Sequence, residues 1–246
     1  MISDVFTWLN DPAHWRGSTG IAERLGDHVG FCVVALLIAL ALALPAGLYI
    51  GHTGKATWVV SATNTLRSLP TIGLLFLLTV LIAPHFHGRT DAGFLIPTEI
   101  VLILLAVPPI LANTVAGVQN IDSSVRDAAA GMGMTGIQVL GRVELPCSLP
   151  LVFSGLRSAA LQVIATATVA SSVTLGGLGR FIYDGLAQQD YPQTIGGAVL
   201  VALLAVSTDF LLALGARYTI SPGITGRSTL KNRTTMQAQL TPIGEL

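Results

Sequence analysis

Charge is scarce in this chain: 11% of its 246 residues are Asp, Glu, Lys or Arg, while 52% are hydrophobic. Soluble globular domains carry about 25% charged residues, so a water-soluble body is excluded, and a mean hydropathy of +0.70 places the chain in a bilayer. The few charges balance at 13 basic and 13 acidic, which removes the electrostatic case for nucleic acid. Cysteine is almost missing. Cys32 sits in an apolar run and Cys147 follows Leu145-Pro146, which fits neither a disulfide framework nor a metal site, so both read as buried or spectator thiols. Aromatic residues reach only 6%. No G-x-x-x-x-G-K-[ST] phosphate loop occurs, which excludes a nucleotide hydrolase of that type.

Long apolar runs are present instead. Crossing about 30 Å of hydrocarbon takes about 20 helical residues, and 29–50, 95–118, 149–173 and 194–216 each qualify. A fifth region, 57–83, carries Asn64, Arg67 and Pro70. It reads either as one span kinked or broken at Pro70, or as a short peripheral helix leading into a span. The prediction is an all-α integral membrane protein with about five transmembrane helices. Residues 1–28 lack the basic start and apolar core of a cleaved signal peptide. With Trp8, Trp15 and an Asp11-Pro12 helix start they read as an interfacial segment at the outer surface. The membrane domain is expected over 29–218, and 219–246, which has no apolar periodicity, as a disordered cytoplasmic tail.

Between the second and third clear apolar runs, 119–148 forms a polar island. Asp122 or Ser123 can cap a first helix through Ala128-Ala129-Ala130, and Gly133 stands where a left-handed terminal residue is wanted. Thr135 with Gln138 three positions on is a capping box, predicting a second helix through Ile137, Leu140 and Val143 that Leu145-Pro146 stops. Placing this island inside puts Lys55, Arg126, Arg142, Arg217, Arg227, Lys231 and Arg233 there, against Arg16, Arg24, Arg89 and Arg180 outside. That bias predicts the N-terminus outside and the C-terminus in the cytoplasm.

The island reads Asp127-Ala128-Ala129, three residues, Gly133, nine residues, Val143, one residue, Leu145-Pro146. It resembles the cytoplasmic coupling loop of bacterial ABC-importer permeases, E-A-A-x3-G-x9-I-x-L-P, with Asp for Glu and Val for Ile. The resemblance implies a type I ABC-importer permease fold in the bacterial inner (plasma) membrane. It also implies that Asp127, Ala128, Ala129, Gly133, Val143, Leu145 and Pro146 couple the spans to a separate cytoplasmic ATP-binding subunit, the alanines letting that surface approach closely. An external solute-binding protein and a second permease copy, or a homologous permease, complete the implied assembly.

Further segments resemble one subfamily, the permeases of osmoprotectant importers for glycine betaine, carnitine, choline or proline betaine. Leu66-Arg67-Ser68-Leu69-Pro70-Thr71-Ile72-Gly73-Leu74-Leu75 is similar to its Q-T-I-P-S-L-A-L-L, with Arg67 where Gln is expected. Asn113-Thr114-Val115-Ala116-Gly117-Val118 is similar to N-T-x-x-G-I; Gly176-Gly177-Leu178-Gly179 and Ile195-Gly196-Gly197-Ala198 through Asp209 also match. The implied function is a pore for quaternary-ammonium osmoprotectants. Another small solute such as an amino acid, a secondary transporter or a membrane scaffold are the alternatives. Secondary transporters usually show internal repeats and mid-membrane ionisable groups, whereas here Glu99 and Asp209 lie near span ends and no repeat is visible.

Other residues have a bland and a functional reading. Thr166, Thr168, Ser171, Ser172 and Thr174 either bond backbone carbonyls, as membrane hydroxyls commonly do, or line a pathway. Arg157, about eight residues past the island, reads as an interfacial anchor ahead of a gating residue. His85 and His87 with Arg89 and Asp91 read as a solvated loop, since no third metal ligand is near. No catalytic residue, metal or cofactor is expected. Trp8, Trp15, Tyr49 and Trp58 read as a membrane belt, leaving no visible aromatic cage for a quaternary ammonium.

Overall fold

Backbone polar groups surrounded by hydrocarbon must bond one another, which leaves only helices and closed barrels. The computed structural model describes residues 2–86, 92–173 and 176–221, and its elements are helices. They are α1 Ile2–Asn10, α2 Pro12–Trp15, α3 Ile21–Thr53, α4 Trp58–Thr65, α5 Thr71–Ile82, α6 Ala92–Gln119, α7 Ser123–Gly131, α8 Gly136–Val139, α9 Leu145–Ala170, α10 Gly179–Gln188 and α11 Tyr191–Thr219. His87, Arg89 and Asp91, Thr174 and the tail beyond 221 lie outside the described residues.

Among the described residues, four helices are long and apolar enough to cross a membrane: α3, α6, the continuous stretch Gly136–Ala170, and α11. The fifth region breaks in two. A 3-10 turn, Leu66–Ser68, ends α4, and α4 and α5 are bent 90° at the break. The cause is local, because a residue before proline is driven out of the helical region, and Leu69 stands at φ −71°, ψ 134° ahead of Pro70. By itself the 12-residue α5 covers about 18 Å at 1.5 Å per residue. That is short of a full span.

The core is an α3, α6, α9 bundle built on small residues. Helices in lipid gain nothing from hydrophobic expulsion, so they associate where small side chains let backbones close up. On α3 the buried face is Ala35, Ala39, Ala43, Gly47 and Gly51, one residue every four. A Cβ on Gly47 would lie 2.7 Å from Thr114 Cβ, and one on Gly51 2.7 Å from Val118 Cβ. Across the other face of α6, a Cβ on Gly117 would meet Ser148 at 2.9 Å, and one on Gly155 the Pro109 carbonyl at 2.7 Å. Prolines 108 and 109 are tolerated inside α6, where Asn113 donates to Pro109 O at 2.8 Å and Thr114 to Ile110 O at 2.7 Å. Helix α5 packs through Leu75 against Val101, Leu105 and Ala170.

Three expectations are corrected. Leu145-Pro146 does not stop the second island helix: α8 passes through a π-helical turn, Leu140–Glu144, into α9. A proline lacks the N–H of the normal ladder and crowds the carbonyl four residues back; the wide turn, in which Leu145 N–H bonds Leu140 O, removes that conflict. Trp8 is not a belt residue. It is 7% exposed, stacked on His14 at 4.9 Å and edge-on to Phe181 at 5.4 Å, over the flat surface left by Gly196. Asp11 does cap α2, with Pro12 in its first turn. Arg157 is not a lone anchor, since its Nε and Nη2 each donate to Asp209 at 2.7 Å and join α9 to α11. Bidentate pairing lets both charges enter a span.

The close approach at Gly155 has a measurable consequence. Gly155→Val should lower the thermal unfolding midpoint of the purified permease, because overpacking against backbone costs about 1–3 kcal/mol. Gly30→Ala, where an added Cβ meets nothing within 4 Å, should leave the midpoint level or raise it. Equal midpoints for the two variants would refute the packing account.

Candidate functional site

The polar island folds as two short helical pieces on a rigid base. Asp122 caps α7 by accepting from Ser124 N–H at 3.0 Å, and that backbone bond holds its carboxyl below the ordinary carboxylate value. The first helix ends at Gly133, whose φ of 84° lies in the left-handed region where glycine carries no Cβ penalty. Met134 N–H then returns to Ala129 O at 3.2 Å. The Thr135–Gln138 capping box forms with both of its bonds, and Thr135 N–H reaches Gln138 Oε1 at 2.8 Å. Of the proposed cap pair, Asp122 is the one used.

The seven island residues divide between two faces. Asp127, Ala128 and Gly133 are exposed, Ala129 is buried, and Val143, Leu145 and Pro146 are half-buried along the start of the third long helix. Three apolar side chains absent from the motif stand on the open face: Val125 at 42%, Met132 at 72% and Ile137 at 85% exposure. Val125, Ala128 and Met132 follow one another at helical spacing, which makes a single apolar stripe. The signal was available in the sequence as apolar residues on the outer side of a charged, capped turn.

Beneath the island lies a charged hub. Glu144, the unspecified position between Val143 and Leu145, is 0% exposed. Arg126 Nε donates to its Oε1 and His52 Nδ1–H to its Oε2, each at 2.6 Å. Arg126 Nη2 also donates to Val118 O at 2.5 Å, closing the end of α6. A buried carboxylate stripped of its counter-charge costs about 3–5 kcal/mol, so Arg126 balances the charge and His52 completes its hydrogen bonding. The π turn aims Glu144 inward, because the extra residue per turn rotates that side chain off the surface. No spacing rule links His52 to Glu144, 92 positions apart.

At the other end of α9, the hydroxyl row takes mixed positions. Thr168 donates to Ile164 O at 2.9 Å and Ser171 to Ala167 O at 3.0 Å, the backbone-satisfying arrangement. Thr166 is half-buried and Ser172 exposed, while Thr174 is among the undescribed residues. Against this end packs the glycine turn. Gly177 stands at φ 90°, and a Cβ on Gly179 would fall 2.1 Å from Thr168 O. Leu178 N–H donates to His28 Nδ1 at 3.3 Å, so His28 Nε2–H is the donor to Ile164 O, also 3.3 Å. His28, wholly buried on α3, was not singled out from sequence.

Comparison with known proteins places this architecture. The family model described as "Binding-protein-dependent transport system inner membrane component" matches residues 30–223. The carnitine transport permease protein OpuCB of Listeria monocytogenes is 34% identical over 187 residues, 76% of this chain and 82% of that protein. The glycine betaine/carnitine/choline transport system permease protein OpuCB of Bacillus subtilis is 30% identical over 204 residues, 82% of this chain and 90% of that one. An osmoprotectant import permease protein, OsmW of Salmonella typhimurium, is 32% identical over 193 residues, 78% and 88% of the respective chains. In fold, an inward-facing MetNI methionine ABC transporter chain superimposes with a TM-score of 0.68 at 20% identity, covering 88% of this chain and 98% of that one. The architecture is therefore that of an ABC-importer permease, and a secondary transporter or scaffold is set aside. With the matched region running from the start of the first clear span to beyond the last helix, the chain belongs to the inner-membrane components of binding-protein-dependent transport systems.

Proposed function

We propose that this permease forms the pore of an importer for quaternary-ammonium osmoprotectants, paired with a second copy or a homologous permease. A separate cytoplasmic ATPase drives it and an external binding protein supplies it. The substrate class rests on relatives named for carnitine, glycine betaine and choline. The coupling role rests on one observation: an exposed apolar stripe, Val125, Ala128 and Met132, with Ile137 also exposed on α8, on a polar island clamped from beneath by buried Glu144. An isolated polar loop has no physical reason to hold such a stripe in water, whereas a docking surface does. Asp127, Ala128 and Gly133 belong to that surface. Ala129, Val143, Leu145 and Pro146 support it from within.

Docking is tested at Gly133. Replacing it by Asp forces a side chain into a left-handed backbone, costing of the order of 1 kcal/mol, and adds a charge beside Met132. Gly133→Asp should insert normally yet retain less than a tenth of the co-purifying ATPase and of ATP-dependent uptake. Wild-type association together with wild-type uptake would remove the coupling reading.

The proposed orientation puts the island in the cytoplasm, the N-terminus outside and the C-terminus inside. In a Cys147→Ser background, a membrane-impermeant thiol reagent applied to intact cells should label Gly88→Cys and spare Ser228→Cys, two positions beyond the described residues. The opposite pattern would invert the topology.

Selectivity is assigned to the binding protein. A quaternary ammonium is held by cation–π contacts worth about 0.5–2 kcal/mol each. Here Trp8 is engaged by His14 and Phe181, and Arg24 covers the Phe181 ring at 5.0 Å. Tyr49 and Trp58 lie open at 57% and 71% exposure on the helix surfaces. Exchanging the binding protein for a docking-competent relative of different preference should change which osmolyte enters. If uptake instead keeps its original preference, a specific site exists in the spans, and the row from Thr166 to Thr174 is where to seek it.

A further inference from the structure

The island is joined to the spans in unequal ways. Helix α9 is one continuous helix with α8, and α6 enters α7 through the short link 120–122, so both are driven through the chain itself. Helix α3 has no such connection, since residues 54–119, including α4, α5 and α6, separate it from the island. Its tie to the island is His52, whose Nδ1–H donates to Glu144 at 2.6 Å and whose Nε2 would lie 3.5 Å from a Cβ on Gly136. At the other end of the same helix, His28 accepts from Leu178 N–H in the glycine turn and donates to Ile164 O on α9. The two histidines are 24 positions apart, or about 36 Å at 1.5 Å per residue. Between them the helix is uninterrupted, and its only proline, Pro45, lies within the continuous run.

From these two ties we infer that α3 is a strut across the membrane. His52 is the positioning residue that passes displacement of the coupling island into it, and His28 delivers that displacement to the turn at Gly176–Gly179. The two kinds of contact act together: the small-residue face holds α3 against α6, and the hydrogen bonds at its two ends fix its position relative to the island and to the glycine turn. Arg126 keeps the charge of Glu144 balanced whether or not His52 is present, and His52 is 29% exposed, so water can replace its donor when the side chain is removed. The hub is therefore built to survive loss of His52, and what is lost is the connection to α3.

The inference rests on the coupling reading of the island, and its test separates the two. The complete transporter, with its ATPase, is reconstituted in vesicles, and ATP hydrolysis is measured with and without liganded binding protein on the outer side. His52→Ala should assemble and keep basal hydrolysis within about twofold. Stimulation by the binding protein, and solute moved per ATP, should each fall at least fivefold. His52→Asn, which places a donor near the position of Nδ1, should restore both. A residue with a merely structural role would lower yield or thermal stability and leave those two ratios unchanged. Wild-type ratios in His52→Ala, or no recovery in His52→Asn, would overturn the strut. Should His52→Ala not assemble, His52→Gln takes its place: its donor lies one bond further out, the same loss is expected, and wild-type ratios again overturn it. ATPase association lost in Gly133→Asp and kept in His52→Ala upholds the docking reading whatever the ratios show.

Discussion

A single carboxylate, Glu144, sits with no exposure at the foot of the polar island, and the arrangement of that end of the bundle follows from the need to neutralise it. Arg126 must fold back from α7 to supply charge. In doing so it fixes the angle of the first island helix and spends its second nitrogen on the last turn of α6. His52 completes the remaining oxygen, which ties the end of α3 to the hub. Four elements meet at one side chain. The island outside them can therefore be small and still keep a fixed angle to the helices it joins.

The π turn is what permits that side chain to point inward. A regular helix through 136–170 would bring Pro146 against the carbonyl of Arg142 and remove one ladder bond at that point. One extra residue in the turn accommodates the proline, keeps the helix continuous and turns Glu144 toward the bundle. Stopping the helix there would have separated the island from α9 and left a joint where the chain is now one continuous helix. Two features that look like helix breakers, Pro146 and Pro150, thus coexist with a 35-residue rod.

Much of this was legible in advance, for reasons that differ by residue. Apolar runs located all four long helices, because the length needed to cross hydrocarbon is a strong constraint. Local capping chemistry located Asp122, Gly133 and the Thr135–Gln138 box, since each is satisfied by backbone within a few positions. What escaped was long-range. The pairs Arg157–Asp209, His52–Glu144 and His28–Leu178 join residues that no local periodicity connects. Trp8 escaped for a related reason: its burial depends on the absence of a side chain at Gly196, far along the chain. Pro146 misled because the rule that proline ends helices assumes a four-residue ladder.

The bundle as it stands leaves much apolar surface uncovered. On α11 only Gly196 and Gly197 are buried, while Leu203, Val206, Phe210 and Leu211 stand open; on α5, Ile72, Phe76, Leu77, Val80 and Leu81 do the same. In water such faces would drive aggregation, but in a bilayer a Leu against a lipid tail costs nothing, so exposure there carries no demand for a protein partner. The polar groups discriminate better. Arg157 and Asp209 are 41% and 33% exposed, yet they neutralise one another across α9 and α11, which lets that face meet lipid without an unpaired charge. The same reasoning separates the two ends of α3. His52 keeps one side open to water while His28 is sealed among backbone groups. The tie at His52 can therefore be broken and re-formed with solvent as a substitute, whereas the one at His28 has no such substitute.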